Sequence, residues 1–141
     1  MSYMAAVALQ GAVYERLRGD ARLAALVGDA IYDAMPVSPP AGTHVSLGPE
    51  VAREAGDQTA PGAEHDFVVS VLSGADEDNG GFAGVKAAAA AVAAALDDGA
   101  ALPLAEGRLA GLWFLRATAR RAESGAGRRV DLTFRARVDL G

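Results

Sequence analysis

Two stretches near the C-terminus decide the fold: Trp113-Phe114-Leu115-Arg116-Ala117-Thr118-Ala119-Arg120 and Val130-Asp131-Leu132-Thr133-Phe134-Arg135-Ala136-Arg137-Val138. Both alternate with period two, the spacing that sends successive side chains to opposite faces of a strand. In the first, Trp113, Leu115, Ala117 and Ala119 form the apolar set. In the second it is Val130, Leu132, Phe134, Ala136 and Val138. The two sets share one face only if odd positions of the first strand oppose even positions of the second, and the connection Ser124-Gly125-Ala126-Gly127 allows that parity. The expected register sets Ala117 opposite Phe134, Ala119 opposite Leu132, Arg120 opposite Asp131 and Arg116 opposite Arg135. An arginine facing an arginine is unfavourable, so an acidic partner outside the hairpin is expected.

Working back from this hairpin, residues 81–96 predict a helix laid across a sheet, with Phe82, Val85, Ala89, Val92 and Leu96 on one face. Its other positions are nearly all alanine, which favours helix but gives little polar cover, a hint of burial against another subunit. Upstream, His65–Leu72 and His44–Leu47 alternate as strands. Between them, residues 53–63, with Gly56, Pro61 and Gly62, predict a mobile loop or hairpin arm. The Pro36–Gly42 loop excludes helix and central strand, and Ala30-Ile31-Tyr32 before it is a short apolar run. The N-terminal region carries an amphipathic helix over 4–18 (Ala6, Leu9, Val13, Leu17). A short second helix follows, capped by Asp20, carrying Leu23, Leu26 and Val27, and stopped by Gly28. The fold class is therefore α+β: a mixed, mainly antiparallel β-sheet with helices packed on one face and a C-terminal β-hairpin, in a single domain over 1–141.

Composition narrows the function. With 141 residues and no cysteine, the fold must stand on packing alone, and thiolate chemistry is excluded. Met1-Ser2-Tyr3-Met4 lacks the start of a signal peptide, and no run approaches the roughly 18 to 20 apolar residues of a membrane span. A soluble protein assembled in the bacterial cytoplasm, without a membrane partner, is the expectation. Of 13 basic residues only Lys86 is lysine, a style that suggests a GC-rich genome. The net charge of −5 argues against general coating of nucleic acid. That charge is unevenly placed: from Arg108 onward, eight arginines face Glu123, Asp131 and Asp139, leaving an acidic body and a basic hairpin.

Chemical motifs are sparse. Asp76-Glu77-Asp78-Asn79-Gly80-Gly81 resembles a calcium loop only superficially, because Gly80 and Ala87 stand where ligands belong, so a solvated acidic turn is the better reading. His44 and His65 have no partners at ligand spacing and read as ordinary sheet histidines. No nucleophile elbow, phosphate loop or dinucleotide fingerprint is present. No catalytic, metal or cofactor site is expected, and the chain reads as a non-enzyme. The candidate interaction surface is the set Arg116, Arg120, Arg135 and Arg137 on one sheet face, able to grip carboxylates or phosphates; the plainer alternative is a solvated strand face.

The order of these stretches resembles the tail-terminator or tail-completion family of long-tailed phages, prophages and gene transfer agents. It is carried by Ala30-Ile31-Tyr32, Thr43-His44-Val45-Ser46-Leu47-Gly48, Glu64-His65-Asp66-Phe67-Val68-Val69-Ser70-Val71, the helix from Gly81 to Leu96, and the strand Val130–Val138. The resemblance implies a structural subunit forming a six-membered ring that caps the tail tube and joins it to the head-proximal connector. Its partners would be further copies of itself, the tube protein and the connector or stopper protein, with packaged DNA passing through the lumen without specific binding. It brings no catalytic residues. The alternatives are another neck or tube component (a stopper or tube subunit), or a nucleic-acid-binding accessory module using the arginines.

Overall fold

The computed structural model describes residues 3, 5–34, 36–38, 40–56, 60–74, 82–97, 102–122 and 127–140. Helix α1 (Ala5–Arg18) buries Ala5, Ala6, Leu9, Val13 and Leu17, the stripe its spacing predicts. Helix α2 (Ala21–Val27) starts where the Asp20 carboxylate accepts a hydrogen bond from the Leu23 amide at 2.9 Å. It ends at Gly28, whose φ of +64° suits glycine. Leu23 and Val27 reach the core, whereas Leu26 is 49% exposed: in a seven-residue helix the buried stripe is narrow, and Leu26 falls outside it.

Strand β1 (Ile31–Tyr32) pairs in parallel with β2 (His44–Glu54), and every other pairing is antiparallel. Strand β2 runs past the expected end at Leu47, because Gly48 and Pro49 sit in a bulge between Leu47 and Glu50. It pairs with β3 (Gly62–Leu72), and the two strands run into the ends of the 53–63 span read as a mobile loop or hairpin arm, of which residues 57–59 lie outside the described residues. Helix α3 (Ala83–Ala95) buries Val85, Ala88, Ala89, Ala91, Val92 and Ala95, with Phe82 half-buried at its start. The acidic turn over 75–81, including the calcium-like motif, also lies outside the described residues.

Strands β4 (Arg108–Arg121) and β5 (Arg128–Asp139) complete a sheet of order β1-β2-β3-β5-β4. The hairpin therefore inserts its second strand beside β3 and leaves β4 at the edge. One face of β3 and β5 (Phe67, Val69, Val71; Val130, Leu132, Phe134, Ala136, Val138) joins the helices in one core cluster. Phe134, 1% exposed, stacks on Phe67 at 5.5 Å and meets Phe114 edge-on at 5.8 Å, both geometries that aromatic quadrupoles favour.

The hairpin register differs from expectation by a slip and two bulges. Near the tip Ala117 pairs with Leu132 and Ala119 with Val130, which preserves parity and hence the faces, while residues 124–126 of the connection lie outside the described residues. Arg116 opposes Thr133 instead of Arg135, so the arginine pair does not form. A bulge between Phe114 and Arg116 then reverses the alternation. Trp113 consequently opposes Arg135 on the charged face, leaving the apolar set in which the uninterrupted period had placed it.

Candidate functional site

The helix-free face of the sheet carries most of the C-terminal arginines, and its chemistry follows from register. On β3, Glu64 and Asp66 lie between Arg53 of β2 and Arg135 and Arg137 of β5. Arg135 donates a two-pronged pair of hydrogen bonds to Asp66, at 2.8 and 3.0 Å. Arg53 bridges Glu64 at 2.6 Å and Asp66 at 3.3 Å from the other side. The planar guanidinium fork suits a carboxylate in this geometry, and the pairing is self-consistent. The hydrogen bonds from Arg135, then Arg53, hold the Asp66 carboxyl below the usual range despite partial burial. Asp66 in turn raises Arg135, and Asp66 with Glu64 raises Arg53.

A second cluster lies toward the hairpin tip. Burial pushes the Asp131 carboxyl up, but the Ser70 hydroxyl at 2.6 Å and the Arg129 guanidinium at 2.9 Å outweigh it, so the net displacement is downward. Arg120 reaches the same carboxylate at 3.3 Å. The expected ion pair with Asp131 thus forms, although diagonally, since Arg120 directly opposes Arg129. Arg137 Nε stands 3.4 Å from Asp139 Oδ1 without hydrogen-bond alignment, and Arg108 holds the other Asp139 oxygen at 2.6 Å.

Of the four arginines singled out by sequence, Arg120, Arg135 and Arg137 therefore have carboxylates within their own chain. Arg116 is exposed and has no acidic partner among the described residues. The acidic partner expected outside the hairpin is mainly β3. The face is a mesh of ion pairs in which Glu64, Asp66, Asp131 and Asp139 offset much of the arginine charge and leave an excess of positive groups. Period-two reading over His65–Leu72 placed Asp66 on the face opposite Phe67 but could not show that this strand lies beside β5.

Two further features were not legible in the sequence. His65 is fully buried, with Nδ1 3.1 Å from a Glu50 carboxylate oxygen, and Glu50 also accepts a hydrogen bond from the Tyr3 hydroxyl. His65 belongs to the β2–β3 pair, opposite Ala52, and among the described residues no cluster of three metal-ligating side chains exists. The second feature is the edge itself. Strand β4 is exposed over almost its whole length, and helix α3 does not cover its inward side. Ala117 and Ala119 instead line an open groove of about 390 Å³ with Lys86, Ala89, Ala90 and Ala93 of α3. At the Phe114 bulge, Trp113, Phe114 and Leu115 are 50, 53 and 37% exposed, three large apolar side chains in a row. The Trp113 ring folds back over Gly111, where any Cβ would meet it at 2.5 Å.

An exposed apolar edge of this kind marks a surface suited to contact with other proteins. The family model for tail completion protein gp17 matches residues 11–139. The chain belongs to the tail completion protein gp17 family. Among solved structures, a chain from the virion of a native gene transfer agent particle is 62% identical. The alignment covers 98% of this chain and 99% of that one, and the two superpose with a TM-score of 0.87. No functionally curated protein matches the sequence. The tail completion protein is a structural component of a phage-type tail, and none of its helices is long and apolar enough to cross a membrane among the described residues.

Proposed function

We propose that this tail completion protein acts as a tail terminator: it closes into a ring, caps the tail tube and joins it to the head-proximal connector of a gene transfer agent-type particle. The observation that carries the reading is the 62% identity, over nearly both whole chains, to a protein of a gene transfer agent virion, together with the family match. The partners are other copies of this chain in a six-membered ring, the tube protein, and the connector or stopper protein. DNA passes through the lumen without specific binding, and the work is done by protein contacts and not by catalysis.

The electrostatics support the protein-contact reading over a nucleic-acid module. Phosphate binding by arginines requires guanidinium groups free to displace counterions. Here Arg120, Arg135 and Arg137 are occupied by Asp131, Asp66 and Asp139, which leaves Arg116 as the member of that set able to reach a neighbour.

Native mass measurement and negative-stain imaging of the purified chain, alone and with tube protein, test the proposal. Closed rings that end tubes are expected. Growth of the isolated chain into long tubes would make it a tube subunit instead, and DNA affinity falling steeply with salt would favour the nucleic-acid module.

A further inference from the structure

Helix α1 packs one stripe into the core and leaves another bare. Val7 is 82% exposed, and with Ala8, Gly11 and Ala12 it walls an open groove of about 600 Å³ closed on the far side by Leu102, Pro103 and Ala105. Apart from the rim residues Glu15 and Arg16, the walls are apolar. Gly11 is the informative member. A Cβ built there meets nothing within 4 Å, so nothing in its own chain requires glycine at this exposed helical position, where glycine is unfavourable relative to alanine. The same open space lets a small side chain be placed at this position without disturbing α1.

The β4 bulge has the opposite shape and the same chemistry. At the sheet edge Trp113 lies over Gly111 on one face and Phe114 meets Phe134 on the other, yet each stays about half exposed, and Leu115 at the bulge between them is 37% exposed. The charges beside the two surfaces are complementary. Among the described residues, Arg116 next to the bulge has no carboxylate partner and Glu15 on the groove rim has no cationic one. Its neighbour Arg16 is turned to the Ala95 carbonyl at 3.4 Å.

We propose that the Trp113–Leu115 bulge of one subunit seats in the α1 groove of the next copy, with Arg116 meeting Glu15 across the rim. The occupant is a second copy because knob and groove, with matched unpaired charges, are both present on one chain. Joining two unlike patches is the head-to-tail contact from which rings close. The inference rests on the ring reading and specifies the joint.

The absence of cysteine from the sequence makes the test direct. Full-length chains carrying Gly11→Cys, Leu115→Cys or both are treated with a bis-maleimide cross-linker at concentrations where native mass shows assembly. The double variant is expected to give a ladder of covalent multimers, and each single variant nothing beyond a dimer. In parallel, Arg116→Glu and Glu15→Arg should each weaken self-association several-fold, and the two together should restore much of it. Rings by native mass without a ladder from the double variant would overturn the joint and leave the ring standing. A ladder with only open chains by negative stain would uphold the joint and refute the ring. Cross-links to added tube protein in place of other copies would overturn the second-copy assignment. Circular dichroism of each variant confirms that it is folded before cross-linking.

Discussion

Two phenylalanines in edge-to-face contact give opposite expectations when each is changed to alanine. Phe134 is 1% exposed and touches both Phe67 and Phe114, so Phe134→Ala leaves a ring-sized void in the core. Such truncations cost about 3 to 5 kcal/mol. Phe114 is 53% exposed, so its truncation loses about half of a full transfer term plus one edge contact, about 1 to 3 kcal/mol together. With an unfolding entropy of about 2.1 cal/mol/K per residue, a chain of 141 residues shifts its midpoint by roughly 3 °C per kcal/mol. Phe134→Ala should therefore lower Tm by about 10 to 15 °C and Phe114→Ala by about 3 to 9 °C. Thermal unfolding followed by circular dichroism, at dilution where the chain is monomeric, makes the comparison without the contribution of assembly. Equal losses would refute the bulged register, because they would mean that Phe114 is as buried as Phe134.

Three other outcomes follow from particular contacts. Asp66 has its carboxyl held below the ordinary 3.8, so its contribution to stability is complete above that value and is lost as pH falls through the lowered folded value. Asp66→Asn should flatten the decline of Tm below about pH 4 in an acid titration; an unchanged acid limb would remove the argument. Gly74 has no room for a side chain, since a Cβ would overlap the Ala41 backbone, and Gly74→Ala should yield little soluble protein, read as the folded fraction on expression. Gly11→Ala should stabilise the isolated chain by about 0.5 to 1 kcal/mol in urea unfolding, whereas a loss would show that α1 needs glycine for its own sake.

What the sequence revealed depended on how local each determinant is. The caps at Asp20 and Gly28, the α1 stripe and the alternation of β5 each need only a few consecutive residues, and each stands as read. The bulge at Leu115 was hidden because Trp113, Phe114 and Leu115 are all large and apolar, so neither parity is favoured by their side chains. Gly48-Pro49 looked like a strand end for a similar reason: a bulge and a terminus use the same residues, and only pairing with β3 distinguishes them. The arginine face was legible as a face but not in its charge balance. Its counter-charges on β3 become neighbours only because β5 inserts between β3 and β4, a topological fact that no window of sequence contains.

The two bulges of β4 also bear on the proposed ring. An uninterrupted edge of this length would be a template, offering its amide and carbonyl groups to any passing strand and inviting polymerisation without limit. Bulges near Ala110 and Leu115 break that template into short, twisted pieces, so a further chain cannot zip along it by backbone alone. In the proposed ring, adhesion would then rest on side chains of fixed shape, which dictate an angle between neighbours, and a fixed angle allows a closed number of copies where a backbone zipper would make a fibre.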